Sequence, residues 1–155
     1  MKAFTRIIAI LVGAVFIYAG ILKVMEPIQF AKDIDNYKML SWPVAVALGF
    51  FLPWLEIAAG VALVTRWMER GGLLILTGLT TVFIVASLVA KSRGLDISCG
   101  CFGHASQGWS FGWHMVLDFG LLAALVVLLG DFLKGIETRK AEHRTPNVEL
   151  RKSPL

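Results

Sequence analysis

Charged residues are scarce in this chain of 155 residues: 17% are Asp, Glu, Lys or Arg, whereas 57% are hydrophobic. Soluble domains carry roughly 25% charged and 45–50% apolar residues, so a soluble domain is excluded as the default. With only 2 Cys, a disulfide-dense secreted scaffold is excluded as well. With 15 Gly and 5 Pro, the chain is not collagen-like. The composition predicts a small membrane protein, with room for four spans of about 20 residues and no second domain.

The few charges leave four long apolar stretches, and a charge at the centre of a bilayer is costly. Because backbone groups in lipid must form their hydrogen bonds within each span, these stretches predict an all-α bundle of four transmembrane helices. The predicted spans cover residues 7–24, 43–65, 71–90 and 111–131, within one membrane domain over 1–133 and before a basic tail over 134–155. We interpret the first span as a retained signal anchor, since no convincing cleavage site follows it.

The distribution of Lys and Arg predicts the orientation of the bundle. Ten of the 15 Lys and Arg lie in the N-terminus, the middle loop and the C-terminal tail, and the other five lie in the first and third loops. Cytoplasmic loops carry the excess of positive charge, so both termini are predicted to be cytoplasmic. The first and third loops then face outward. In the first loop, Ile28, Ala31, Ile34 and Met39 alternate with charged residues and predict an amphipathic helix on the outer surface.

The third loop contains both cysteines, Cys99 and Cys101, separated by Gly100. On the outer side of the membrane disulfides persist, and a ring this small is strained, which is typical of labile or catalytic disulfides. Three interpretations remain open: a redox pair, a metal site completed by His104 and a structural staple. His114 is a further candidate ligand for the metal site.

Four ionisable residues in the predicted spans are candidates for a function. His114 and Asp118 are four residues apart, so they share one helix face below the cysteine loop and are candidates for proton handling. Glu56 must face the bundle interior, where it could line a quinone or proton site. Lys23 lies near the outer end of the first span, so direct pairing with Glu56 requires a long inward reach or offset helices. For all four, simple helix–helix hydrogen bonding or an interfacial position is the alternative.

Three separated segments resemble one family. They are AGILK at 19–23, LPWLE at 52–56 and CGCFG at 99–103. These segments are similar to the DoxX-like membrane proteins and most of all to their MauE-like branch, over about residues 4–132. The resemblance implies a multi-pass protein of the bacterial inner membrane that acts with a periplasmic thioredoxin-like partner, in maturation of disulfide-containing methylamine dehydrogenase. A thiosulfate:quinone oxidoreductase subunit among the DoxX relatives implies quinone as electron acceptor. Carried over by position, Cys99 and Cys101 match the family's cysteines, and Asp118 matches a polar position early in the fourth helix.

The expected function is therefore a membrane thiol–disulfide relay that passes electrons from the thioredoxin-like partner to quinone. In this hypothesis Cys99 and Cys101 form the redox pair, Asp118 and His114 handle protons, and Glu56 and Lys23 line a cofactor cavity. The protein is expected to contact membrane lipid. Neither a bound metal nor a nucleic-acid partner is expected. The alternatives are a metal-handling protein that uses Cys99, Cys101 and His104, and a non-catalytic assembly subunit.

Overall fold

The computed structural model describes residues 3–94 and 111–144, with side chains at all of these except 111, 114 and 137–144. The described part is helical and contains no strand. Its five helices are α1 (Ala3–Met25), α2 (Pro27–Asn36), α3 (Trp42–Thr65), α4 (Glu69–Ser92) and α5 (Phe111–Arg144). All but α2 are long and apolar enough to cross a membrane, with the apolar part of α5 running over Met115–Ile136. The predicted bundle of four transmembrane helices is confirmed.

Local chemistry explains where these helices begin and end. Pro27 and Pro43 occupy first-turn positions of α2 and α3, where a missing backbone N–H costs nothing. The short turn between α3 and α4 contains two residues with left-handed backbone, Arg66 with φ 65° and Met68 with φ 60°. Arg6 donates to the carbonyl oxygens of Leu63 and Val64, so a side chain from α1 satisfies two of the last carbonyls of α3.

Small residues allow α1 and α3 to pack at close range. A Cβ atom added at Gly20 would lie 2.9 Å from the Pro53 carbonyl oxygen, and one added at Gly13 would lie 2.9 Å from the Gly60 carbonyl oxygen. Close backbone approach of this kind is the usual basis of helix association in membranes. The sequence predicts close packing at Gly13, Ala14, Gly20, Gly60 and Gly78. The prediction is confirmed for Gly13, Gly20 and Gly60. It is wrong for Ala14, which is exposed, and for Gly78, where a Cβ atom added to the glycine would have no atom of another described element within 4 Å.

The two helices are offset along their axes. Gly20 lies against Pro53 and Ile57, so at 1.5 Å per residue α3 begins about 9–15 Å beyond the end of α1. Helix α2 packs against this extra part of α3, where Ala31 contacts Gly49. Phe30, Ile34 and Ala45 form the buried centre of that contact. We call this end of the bundle the α2 end.

The predicted amphipathic helix in the first loop is present as α2, but it packs into the bundle. Its buried residues are Phe30, Ala31 and Ile34, whereas Ile28 and Met39 are exposed by 49% and 40%. The buried positions lie on one face of α2, whereas Ile28 lies on another face and Met39 lies beyond the end of the helix. Tyr37, just after α2, hydrogen-bonds to Ser87 of α4 over 3.3 Å and ties α2 to a third helix.

A second core joins α1, α3, α4 and α5 further from the α2 end. Its centre includes Phe16, Leu63, Leu76 and Leu125, each with at most 7% exposure. The exposed surface of the long helices is rich in large apolar side chains, which suits contact with lipid. At its far end α5 continues to Arg144, so the first part of the predicted tail prolongs the fourth transmembrane helix.

Candidate functional site

A buried ion pair between Lys23 of α1 and Glu56 of α3 is the centre of the candidate site. The Lys23 Nζ donates to both carboxylate oxygens of Glu56, at 2.7 and 2.8 Å. Lys23 is 3% exposed and Glu56 is 1% exposed. Pro53 and Ile57, the two residues that contact Gly20, flank Glu56 in α3. Lys23 lies about one helical turn beyond Gly20, so its side chain has to span only that turn to reach Glu56. Of the two alternatives that the sequence sets for direct pairing, the structure therefore has the offset helices, and Lys23 needs no long inward reach.

Two aromatic rings enclose the ammonium group of Lys23. Its Nζ lies 5.0 Å from the ring centroid of Phe30 on α2 and 5.1 Å from that of Phe83 on α4. A cation over an aromatic face is attracted by the ring quadrupole, and the attraction grows when water is excluded. The attraction to these two rings offsets part of the hydration free energy that the ammonium group loses on burial.

A small cavity borders the ion pair. We call it the polar cavity, and its polar lining consists of Lys23, Glu56, Thr80 and Asp118. Asp118 is 4% exposed and Thr80 is 4% exposed, so α4 and α5 add two buried polar side chains to the pair from α1 and α3. Thr80 donates its hydroxyl hydrogen to the Leu76 carbonyl oxygen at 2.8 Å, which leaves its oxygen lone pairs available toward the cavity.

The volume of the polar cavity, about 30 Å³, limits what it can hold. A water molecule needs about 10–15 Å³ of such space and two to four polar partners, and both conditions are met. Typical pockets for organic ligands measure about 300–1,000 Å³. The polar cavity therefore suits one or two water molecules and does not accommodate a quinone ring.

The polar cavity lies toward the α2 end of the bundle. Lys23 is near the end of α1, and the opposite direction of α5 puts Asp118 near the start of that helix. Segment 95–110 connects the end of α4 to the start of α5, so its two attachment points are at this same end.

Comparison with known proteins identifies the family. The model of the methylamine utilisation protein MauE family matches residues 1–130. The chain belongs to the MauE family. Methylamine utilization protein MauE of Methylophilus methylotrophus is 27% identical over 118 residues, which are 76% of this chain and 62% of that relative. The chain thus matches about three-fifths of the length of this relative. No solved structure matches.

Within this MauE-family protein, the structure brings together three of the residues predicted from the sequence: Lys23, Glu56 and Asp118. The backbone of His114 lies on α5, one turn before Asp118, but its side chain is outside the described part. Cys99, Cys101 and His104 also lie outside the described residues, so their predicted roles stay predictions. No cluster of three metal-binding side chains occurs within the described residues.

Sequence reasoning missed the aromatic enclosure by Phe30 and Phe83 and the contribution of Thr80. Phe30 has a local signal, since Phe30, Ala31 and Ile34 share one face of a short helix. Phe83 and Thr80 lie in an apolar span with no such signal. Their role depends on which face of α4 turns inward, and only the packing of four helices decides that.

Proposed function

We propose that this MauE-family membrane protein takes part in methylamine utilisation as a thiol–disulfide relay. A periplasmic thioredoxin-like protein is the electron donor, Cys99 and Cys101 are the redox pair, and membrane quinone is the acceptor substrate. The relay would serve maturation of a disulfide-containing enzyme such as methylamine dehydrogenase. Family membership and the name of the relative from Methylophilus methylotrophus support the metabolic context.

The observation that carries the mechanistic part is the buried Lys23–Glu56 pair in a water-sized cavity that Asp118 also borders. Ionisable groups within a membrane are costly and mark proton or substrate pathways. This cavity lies at the end of the bundle to which the segment with both cysteines is attached.

The chemistry of the relay balances in two steps. First, a thiolate of the reduced partner attacks the Cys99–Cys101 disulfide, and the resulting mixed disulfide is resolved by the second partner thiol. This step oxidises the partner and leaves Cys99 and Cys101 as thiols. In the second step the two thiols return to a disulfide, and their two electrons and two protons convert one quinone to quinol.

The proposed task of the polar cavity is to hold and move these protons. Asp118 and Glu56 are carboxylates that can accept a proton, and water in the cavity can connect them. Lys23 holds Glu56 in place through two hydrogen bonds. Because the cavity is too small for a quinone ring, we place quinone at the lipid-facing surface of the bundle.

Trapping of a mixed disulfide tests the first step. The oxidised protein in nanodiscs is mixed with reduced thioredoxin that has a single active-site cysteine, so the mixed disulfide cannot be resolved. We expect a covalent adduct on a non-reducing gel that dithiothreitol releases and that the C99S/C101S variant does not form.

Absence of an adduct at every redox potential tested would contradict the proposed relay. A metal-handling protein would instead bind a stoichiometric metal that is lost in H104A and in either single cysteine variant. If the protein is a non-catalytic assembly subunit, a host that carries the C99S/C101S variant would still grow on methylamine.

A further inference from the structure

A second pocket lies at the opposite end of the bundle from the polar cavity. It measures about 430 Å³, within the range of ligand pockets. Its lining comprises Arg66, Met68, Glu69, Arg70, Gly71 and Phe132. We call it the arginine pocket. We propose that the arginine pocket binds the headgroup of an anionic phospholipid, with the lipid phosphate between Arg66 and Arg70.

The turn between α3 and α4 brings the two arginines to one site. Left-handed backbone at Arg66 and Met68 reverses the chain within a few residues, so Arg66 at the end of α3 and Arg70 in the first turn of α4 line the same space. The Nε atom of Arg66 lies 3.5 Å from the Oε2 atom of Glu69, which is a long distance for an ion pair. Its side chain is 56% exposed, so its other N–H groups are free to bind an anion.

Arg70 makes a cation–π contact. The centre of its guanidinium lies 4.9 Å from the ring centroid of Phe132 on α5. Within the part of the chain that the structure describes, Arg70 has no carboxylate partner. A cation–π contact uses the charge of the guanidinium and gives its N–H groups no oxygen acceptor, and these N–H groups are the donors that recognise phosphate.

The depth of the arginine pocket matches the headgroup layer. Helix α3 ends at Thr65, α4 begins at Glu69, and the apolar part of α5 ends at Ile136, so three spans leave the hydrocarbon around this pocket. Next to it, Trp67 is 81% exposed and Met68 is 74% exposed. Exposed Trp at this level is typical of the membrane interface, where it contacts lipid.

The charge of the pocket favours an anionic lipid over a neutral one. Two arginines face one acidic residue, Glu69, so the lining carries an excess positive charge. This end is also the one that the distribution of Lys and Arg predicts to be cytoplasmic, where anionic lipids attract basic groups. The inference is independent of the proposed redox function, since it uses none of the residues of the polar cavity.

Lipid retention measured by native mass spectrometry tests the proposal. The full chain is purified in detergent and titrated with phosphatidylglycerol or phosphatidylcholine. We expect tighter binding of phosphatidylglycerol, and we expect R66Q/R70Q to bind it about tenfold more weakly, because two charge-assisted contacts are lost. The matched control R151Q/K152Q removes two positive charges elsewhere and should bind as the unaltered protein does.

Equal binding of both lipids, or equal loss in R66Q/R70Q and R151Q/K152Q, would overturn the proposal. Displacement of phosphatidylglycerol by millimolar inorganic phosphate would also overturn it, since the ligand would then be a soluble anion. Both arginines are exposed, so the R66Q/R70Q variant is expected to fold, and its melting temperature without lipid verifies this. In addition, R70K keeps the charge but lacks the planar fork, and we expect its affinity to be intermediate.

Discussion

At the scale of single residues, the Lys23–Glu56 pair is the most consequential feature of this protein. Burial removes both charges from water, and the two hydrogen bonds of 2.7 and 2.8 Å together with the two aromatic rings replace only part of that hydration. Such a pair contributes little net stability, yet loss of one partner leaves an uncompensated buried charge. Net stabilisation therefore does not account for this pair, whereas the proposed role in proton handling requires buried ionisable groups.

Single and double substitution of the pair separates these effects. We expect E56Q to lower the free energy of unfolding by about 3–5 kcal/mol, since it strands the buried ammonium of Lys23. The double variant K23M/E56L should recover most of that loss because no buried charge remains. Reversible unfolding in mixed micelles measures both.

The exposed pair of Lys38 and Asp35 is the matched control. Its Nζ–O distance is 3.1 Å and its lysine side chain is 62% exposed, so K38M should cost at most about 1 kcal/mol. A double variant no more stable than E56Q would contradict the account of the buried pair.

At the scale of helices, the contact between α1 and α3 positions the site. The Gly13, Gly20 and Gly60 contacts fix the offset of the two helices, and the offset in turn sets Lys23 beside Glu56 and creates the surface on which α2 packs. Helix α2 then places Phe30 over the ammonium. The register of one helix pair thus determines the geometry of the polar cavity.

Substitution of glycine by alanine tests this register. In G20A the new Cβ would lie 2.7 Å from the side chain of Ile57 and 2.9 Å from the Pro53 carbonyl oxygen. We expect a loss of about 1–3 kcal/mol in stability, because two backbones must move apart. The control G78A adds the same methyl group at a position where no packing neighbour among the described residues lies within 4 Å, so it should be neutral or slightly stabilising. Equal melting temperatures for both variants in detergent would contradict the close contact.

The sequence predicts the long helices well and their contacts incompletely. Apolar stretches between charges predict all four spans, because the bilayer imposes their length and composition. Glu56 is predicted to face inward because lipid excludes a carboxylate. The inward faces of Thr80 and Phe83 are not predictable in this way, since neither side chain is excluded from lipid. Gly78 is the opposite case: close packing is predicted for this small residue, but within the described part of the chain a Cβ atom added there has no packing neighbour within 4 Å.

At the scale of the whole molecule, the bundle has two different ends. One carries α2, the polar cavity and the attachment points of segment 95–110. The other carries the arginine pocket and the extension of α5 to Arg144. The excess of Lys and Arg at the second end predicts that it is cytoplasmic. The proposed relay requires this orientation, because disulfides persist on the outer side.

Labelling of the two cysteines tests the orientation. Both cysteines of the chain lie in segment 95–110, so a thiol reagent reports on that segment alone. We expect a membrane-impermeant maleimide to label reduced Cys99 and Cys101 in intact spheroplasts, as shown by a mass shift on a gel. Labelling only after the inner membrane is permeabilised would place the segment in the cytoplasm.

Complete turnover tests the proposed relay as a whole. The protein in nanodiscs is supplied with a reduced thioredoxin-like protein and ubiquinone, and quinol formation is followed by absorbance. We expect one quinol for each dithiol oxidised, no turnover in C99S/C101S, and slower turnover in D118N with the cysteine pair intact. Quinol formation at the same rate in C99S/C101S, or none with the unaltered protein, would contradict the relay.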